Sequence, residues 1–186
     1  VYCGSRSGDL PDYTTVAHHL GTELARAGFS LVYGGSEVGL MGIVANAALQ
    51  NGAEVIGVIP KRFSAEIVHE ALTELYLVDT MHQRKQQMIE NSDGIIALPG
   101  GSGTFEELME ALTWKRLTLY RNPIVLLNTR GYFEAFQAMM VQASNERFMH
   151  SEHLRMWTTV SRPSELIPTL IQTDDWDSER LDLVVQ

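Results

Sequence analysis

The stretch "GIIALPGGSGTFEELME", residues 94–110, decides the fold. Ile95 to Leu98 form a short apolar run of strand length, and Pro99 ends it. Gly100, Gly101, Ser102 and Gly103 follow, and Thr104 opens a segment of helix-forming residues that reaches Tyr120. A strand that runs through glycines into a helix is the unit from which parallel sheets are built.

The same alternation continues in both directions. Towards the N-terminus lie "MHQRKQQMIENS" as a helix, "LYLV" as a strand and "SAEIVHEAL" as a short helix. Before them come the strand "AEVIGVIP", the Ala-rich helix "GLMGIVANAALQNG" and the strand "FSLVYGG". Residues 11–28 form a helix in which Val16, Leu20 and Leu24 recur at four-residue spacing and Gly28 marks the stop. Val1-Tyr2-Cys3 reads as a strand already under way. Towards the C-terminus come the strand "PIVLLN", the helix "GYFEAFQAMMVQASNERF", a last strand over 157–160 and a last helix, "PSELIPTLIQ".

Continuously apolar strands separated by helices predict an α/β fold. The expectation is a single-domain, Rossmann-like, doubly wound parallel sheet with helices on both faces. The 186 residues suffice for one domain with a buried core. The acidic stretch 173–186 lacks periodicity and is expected to be a loose C-terminal arm.

Composition narrows the function. Apolar residues make up 45% and charged residues 20%, as in an ordinary globular protein, and no run of about 18 apolar residues predicts a membrane span. The formal net charge of −9 disfavours nucleic acid, so an anionic ligand needs a local positive site. Cys3 is the only cysteine, which excludes an intrachain disulfide and fits a reducing, cytoplasmic compartment. His150 and His153 have no ligating companions, so no metal site is expected.

Three glycine clusters, at 4–5, 34–36 and 100–103, follow strands, where doubly wound sheets bind their ligands. Glycines there let backbone amides approach an anion, and a helix N-terminus adds positive potential. Neither the P-loop pattern nor G-x-G-x-x-G is present. Thr104 and Glu107 match a capping box, in which Glu107 would reach back to the helix start. The same carboxylate is also placed for catalysis beside a bound ligand. Arg84 and Lys85 are the nearby cations, either as a phosphate clamp or as a solvated basic patch.

"PGGSGTFEE" at 99–107 resembles the P-G-G-x-G-T-x-x-E signature of the Lonely Guy family of phosphoribohydrolases, relatives of proteins long labelled lysine decarboxylases. "CGSRSG" at 3–8, "YGGSEVGLMG" at 33–42, "MHQRK" at 81–85 and "LTWKRL" at 112–117 resemble further family segments in the family's order. The resemblance covers about residues 1–145. Ser102 stands where plant members often carry Tyr, and Ser36 where Gly is common.

The resemblance implies hydrolysis of the N-glycosidic bond of a nucleoside 5′-monophosphate, a cytokinin riboside monophosphate or AMP, to free base and ribose 5-phosphate. It implies Arg84 and Glu107 as the catalytic pair. It also implies Glu66, Lys85, Gly101, Ser102, Gly103, Thr104, Phe105, Glu106 and Thr113 as substrate contacts. No cofactor or metal is implied, and the site is expected at a homodimer interface. One rival is a non-catalytic nucleotide or molybdenum-cofactor carrier. The other is a true lysine decarboxylase, which would need pyridoxal phosphate on Lys61, Lys85 or Lys115, none of them in a recognisable Schiff-base context.

Overall fold

The computed structural model describes residues 1–63 and 67–176. Three parallel strands, β1 (Leu31–Tyr33), β2 (Val55–Pro60) and β3 (Glu74–Val78), pair in the order β1-β2-β3. Three more, β4 (Ile95–Ala97), β5 (Ile124–Leu127) and β6 (Thr158–Val160), pair in parallel in the order β4-β5-β6. The opening residues join the two ladders. Tyr2 bridges Ala97 in parallel, with bonds of 2.9 Å from Tyr2 N to Ile96 O and from Leu98 N to Tyr2 O. On the other side, the Val1 nitrogen donates to Val32 O at 2.6 Å.

The spatial order is therefore β3-β2-β1, the opening segment, then β4-β5-β6. The chain winds outward to β3 and then crosses to β4, so the switch point lies between the opening segment and β4. There the loops after Cys3 and after Leu98 diverge and leave a crevice.

Helices α1 (Pro11–Arg26), α2 (Gly39–Gln50), α3 (Met81–Glu90), α4 (Ser102–Arg116), α5 (Glu134–Asn145) and α6 (Pro163–Gln172) cover both faces. Alternation along the strands sets the layers. Tyr2, Ile95, Ala97, Ile124 and Leu126 pack with Met88 and Ile89 of α3, Leu108 and Leu112 of α4, and Phe136 and Met140 of α5. Their strand neighbours Cys3, Ile96, Leu98, Val125 and Leu127 pack with Leu20 and Leu24 of α1, Val44 and Ala48 of α2, and Leu166 of α6. The Ala-rich character of α2 explains its contact with α1. A Cβ on Gly21 would lie 2.3 Å from Val44 O and 2.8 Å from Ala47 Cβ, so small residues let the two helices touch.

Two local expectations differ from what the chain does. The helix expected over 64–72 lies partly outside the described residues, and from Val68 onward it is absent. Val68 instead bridges Ser36, and His69 N donates to Gly35 O at 2.9 Å, so the glycine loop after β1 supplies the backbone partners. Of the arm expected over 173–186, residues 173–176 are described. Trp176 is buried in the core and its N donates to Arg121 O at 2.8 Å. Among the described residues, no helix is long and apolar enough to cross a membrane.

Candidate active site

The glycine loop lies at the switch point. Helix α4 begins at Ser102, its N-cap is Gly101, and no side chain caps it. The first-turn amides of Ser102, Gly103 and Thr104 therefore have no acceptor before them. Phe105 N is the first to find one, Gly101 O at 3.2 Å.

The capping box expected at Thr104 and Glu107 does not form. Thr104 is already the third helical residue, and Glu107 turns inward. A capping box does form on α3. Thr80 Oγ1 accepts from Gln83 N at 3.1 Å, and Gln83 Oε1 accepts from Thr80 N at 3.2 Å.

The three loop glycines have different reasons to be glycine. A Cβ on Gly100 would fall 2.1 Å from Thr104 Oγ1 and 2.7 Å from Gly4 N, so the protein's own packing excludes a side chain there. A Cβ on Gly101 or Gly103 would meet nothing within 4 Å, and neither residue has a positive φ. The backbone over these two residues is bare towards open space, which suits close approach by a ligand from outside the chain.

One turn further along α4, Glu107 is buried and joined to Arg84 of α3. Arg84 Nη1 donates to Glu107 Oε1 at 2.6 Å, and Arg84 Nε donates to Val58 O at 3.0 Å. Both side chains are nearly enclosed, 11% and 9% exposed. Gly34, at the end of β1, makes room for this pair: a Cβ on it would lie 1.9 Å from Arg84 Nη2. Burial pushes the Glu107 carboxyl above the ordinary carboxylate range, and the Arg84 guanidinium opposes that shift without cancelling it.

Lys85 is not part of a solvated basic patch. Its side chain is buried, donates to Glu106 and ion-pairs with Glu110 Oε2 at 2.9 Å. Burial alone would lower its pKa, but bonds to the two carboxylates outweigh this and raise it.

The expected site residues thus fall into groups. Arg84, Lys85, Glu106 and Glu107 meet where α3 and α4 adjoin. Gly101, Ser102 and Gly103 form the exposed rim, with Thr104 buried below them. Phe105 packs inward, stacked on Tyr132 at 6.3 Å between ring centroids and close to Phe133 and Phe136. Thr113 is exposed two turns further along α4 and donates to its own helix at Met109 O. Glu66 lies outside the described residues.

A cavity of about 370 Å3 beside the loop contains residues that sequence reasoning did not single out, among them Arg6, Tyr13, Leu40 and Tyr132. Tyr132 Oη donates to Gly100 O at 2.5 Å and so braces the loop from the far side. The glycine cluster at residues 4–5 and the segment "CGSRSG" at 3–8 were the signals in the sequence for this crevice. A larger cavity, about 840 Å3, lies away from the loop between Lys115, Trp157 and Trp176. Burial lowers the Lys115 pKa to about 8, and its ammonium donates to Arg121 O and, at 2.5 Å, to Asn122 O.

None of the three lysines lines the cavity beside the loop. Lys61 pairs with Asp79 at 2.7 Å, Lys85 is held by its carboxylates, and Lys115 by backbone carbonyls. Among the described residues, no group of three His, Cys, Asp or Glu side chains could hold a metal ion.

Fold and site together define an α/β protein of the doubly wound parallel class, with an open glycine loop at the switch point and a buried, arginine-held carboxylate beneath it. Residues 41–170 match the family model described as "Possible lysine decarboxylase". A cytokinin riboside 5′-monophosphate phosphoribohydrolase of Rhodococcoides fascians is 48% identical over 151 residues, covering 80% of this chain and 76% of that protein. LOG7 of Arabidopsis thaliana, which carries the same enzyme name, is 43% identical over 171 residues, covering 91% of this chain and 79% of the relative. The chain belongs to this family of phosphoribohydrolase-like proteins.

Among solved structures, the molybdenum cofactor binding protein of Rippkaea orientalis matches with a TM-score of 0.66 at 24% identity, covering 89% of this chain and 92% of that one. The Moco carrier protein of Chlamydomonas reinhardtii matches with a TM-score of 0.68 at 20% identity, covering 90% of each chain. These two likenesses establish the shared fold.

Proposed function

We propose that the protein hydrolyses the N-glycosidic bond of nucleoside 5′-monophosphates, releasing free base and ribose 5-phosphate. The substrates are cytokinin riboside 5′-monophosphates, AMP, or both. The observation that carries this reading is the buried Glu107, held by Arg84, one helical turn below the bare Gly101–Gly103 backbone.

Cleavage of a ribosyl bond passes through an oxocarbenium-like state, so a carboxylate beside the anomeric carbon stabilises the developing positive charge. Glu107 does this and orients or deprotonates the attacking water. Arg84 keeps the carboxylate turned towards the substrate and, by opposing burial, keeps its ionised form accessible. The first-turn amides of α4 receive the 5′-phosphate, which fixes the ribose relative to Glu107. Water supplies the hydroxyl at C1′, and the leaving base takes up a proton.

The active form is a homodimer with the site at its interface. Met109 and Thr113 are exposed on α4 beyond the catalytic turn, and the proposal sets the second copy against this face.

The test is chromatographic product analysis of the purified protein over a panel of nucleoside monophosphates and their nucleosides. Base and ribose 5-phosphate are expected from AMP or isopentenyl-AMP, with no base from the dephosphorylated forms. Equal turnover of nucleosides would remove the phosphate-anchoring role of the loop.

A further inference from the structure

The opening loop, residues 4–8, and the glycine loop, residues 99–101, face each other across the switch-point crevice and enclose the cavity of about 370 Å3. Gly100 and Gly101 form one wall, Ser5 to Gly8 the other, and Tyr13 and Tyr132 close it. Their rings meet edge to face, with centroids 6.1 Å apart. Among the described residues that line this cavity, Arg6 alone is charged. It is exposed and has no hydrogen-bond or ion-pair partner among the described residues.

The cations of α3 are differently placed. Arg84 is bonded to Glu107 and to Val58 O, and Lys85 is enclosed by Glu106 and Glu110. Each presents a neutralised pair rather than a free positive charge. A phosphate dianion approaching a chain of net charge −9 needs a cation that is still available.

We propose that Arg6 binds the phosphate of the substrate at the glycine loop and provides the side-chain half of a phosphate site whose other half is the loop backbone. This rests on the nucleoside monophosphate reading given above and deepens it. A guanidinium offers paired N–H groups that match phosphate oxygens, and the missing side chain at Gly101 leaves the backbone accessible from the same cavity. Arg6 belongs to the opening loop rather than to α3 or α4. It therefore holds the non-reacting end of the substrate and takes no part at the anomeric carbon.

The test compares wild type with Arg6→Ala and Arg6→Lys. For Arg6→Ala, KM for AMP should rise about tenfold or more, as expected for loss of a hydrogen-bonded charge partner. The inhibition constants of ribose 5-phosphate and inorganic phosphate should rise in step. The loss should fall on KM more than on kcat, because the contact is the same in the ground and transition states. Arg6→Lys should recover part of the affinity, and thermal melting of both variants should match wild type, because Arg6 is exposed. Unchanged KM and inhibition constants in Arg6→Ala would overturn the assignment.

If wild type releases base from no nucleoside monophosphate, the function proposed above fails by itself. Calorimetric titration with ribose 5-phosphate then decides the role of Arg6. Weaker binding to Arg6→Ala supports it. Equal binding, or no binding to wild type, overturns it.

Discussion

At the scale of the residue, the proposed chemistry rests on the Arg84–Glu107 ion pair. Glu107→Gln keeps an acceptor for Arg84 but removes the ionisable group. Turnover should fall about 10²- to 10⁴-fold, the usual contribution of a positioned acid–base group, while circular dichroism shows the fold retained. If the variant instead unfolds and the rate per folded molecule is spared, Glu107 is structural.

The pH profile gives a second test. Burial raises the Glu107 pKa, and in the proposed mechanism the reactive form is the carboxylate, so activity should be lost as pH falls through that raised value. The acid limb of kcat/KM should therefore lie above the ordinary glutamate value of about 4.3. Arg84 lowers the Glu107 pKa, so Arg84→Gln should move the acid limb of the residual activity to still higher pH. A limb that stays in place or moves to lower pH would show that Glu107 is not the titrating group.

At the scale of the element, the ends of the strands determine which glycines can be replaced. Gly34→Ala would place a methyl group where Arg84 Nη2 lies, and that atom is the end of a flexible side chain that can move. The fold should survive, with a small change in melting temperature, while displacement of the guanidinium lowers kcat by about tenfold or more, as lost orientation does. Gly100→Ala is different. Its methyl group meets the short Thr104 side chain and the Gly4 backbone, and the Gly4 backbone cannot yield without parting the two switch-point loops. This substitution should cost about 1–3 kcal/mol in denaturant unfolding, as overpacking does. If the two variants behave alike in melting and in rate, this distinction between the strand ends is wrong.

At the scale of the whole molecule, the question is assembly. Met109 is 37% exposed on α4, two residues beyond Glu107. Met109→Glu should dissociate the proposed homodimer, seen as a halved mass in light scattering, and activity should fall with the dimer fraction. Full activity in a monomer would remove the interface site from the proposal.

The layered fold was legible in the chain because its signals are local. Apolar runs of strand length, four-residue stripes and glycine stops each depend on neighbours only a few residues away. The glycine loop, its helix and the family motif were legible for the same reason. The resemblance paired Glu107 with Arg84, but the direct contact between them was not legible. Within the motif, Thr104 to Glu107 has the spacing of a cap, and only the packing of α4 against α3 turns that carboxylate inward to an arginine 23 positions earlier. The same packing closes Lys85 between Glu106 and Glu110, where its position beside Arg84 suggested a free cation. The crevice with Arg6, Tyr13 and Tyr132 arises because parallel strands place loops distant in sequence at one edge of the sheet. Local periodicity carries the elements, whereas burial and long-range contact determine which charges remain available.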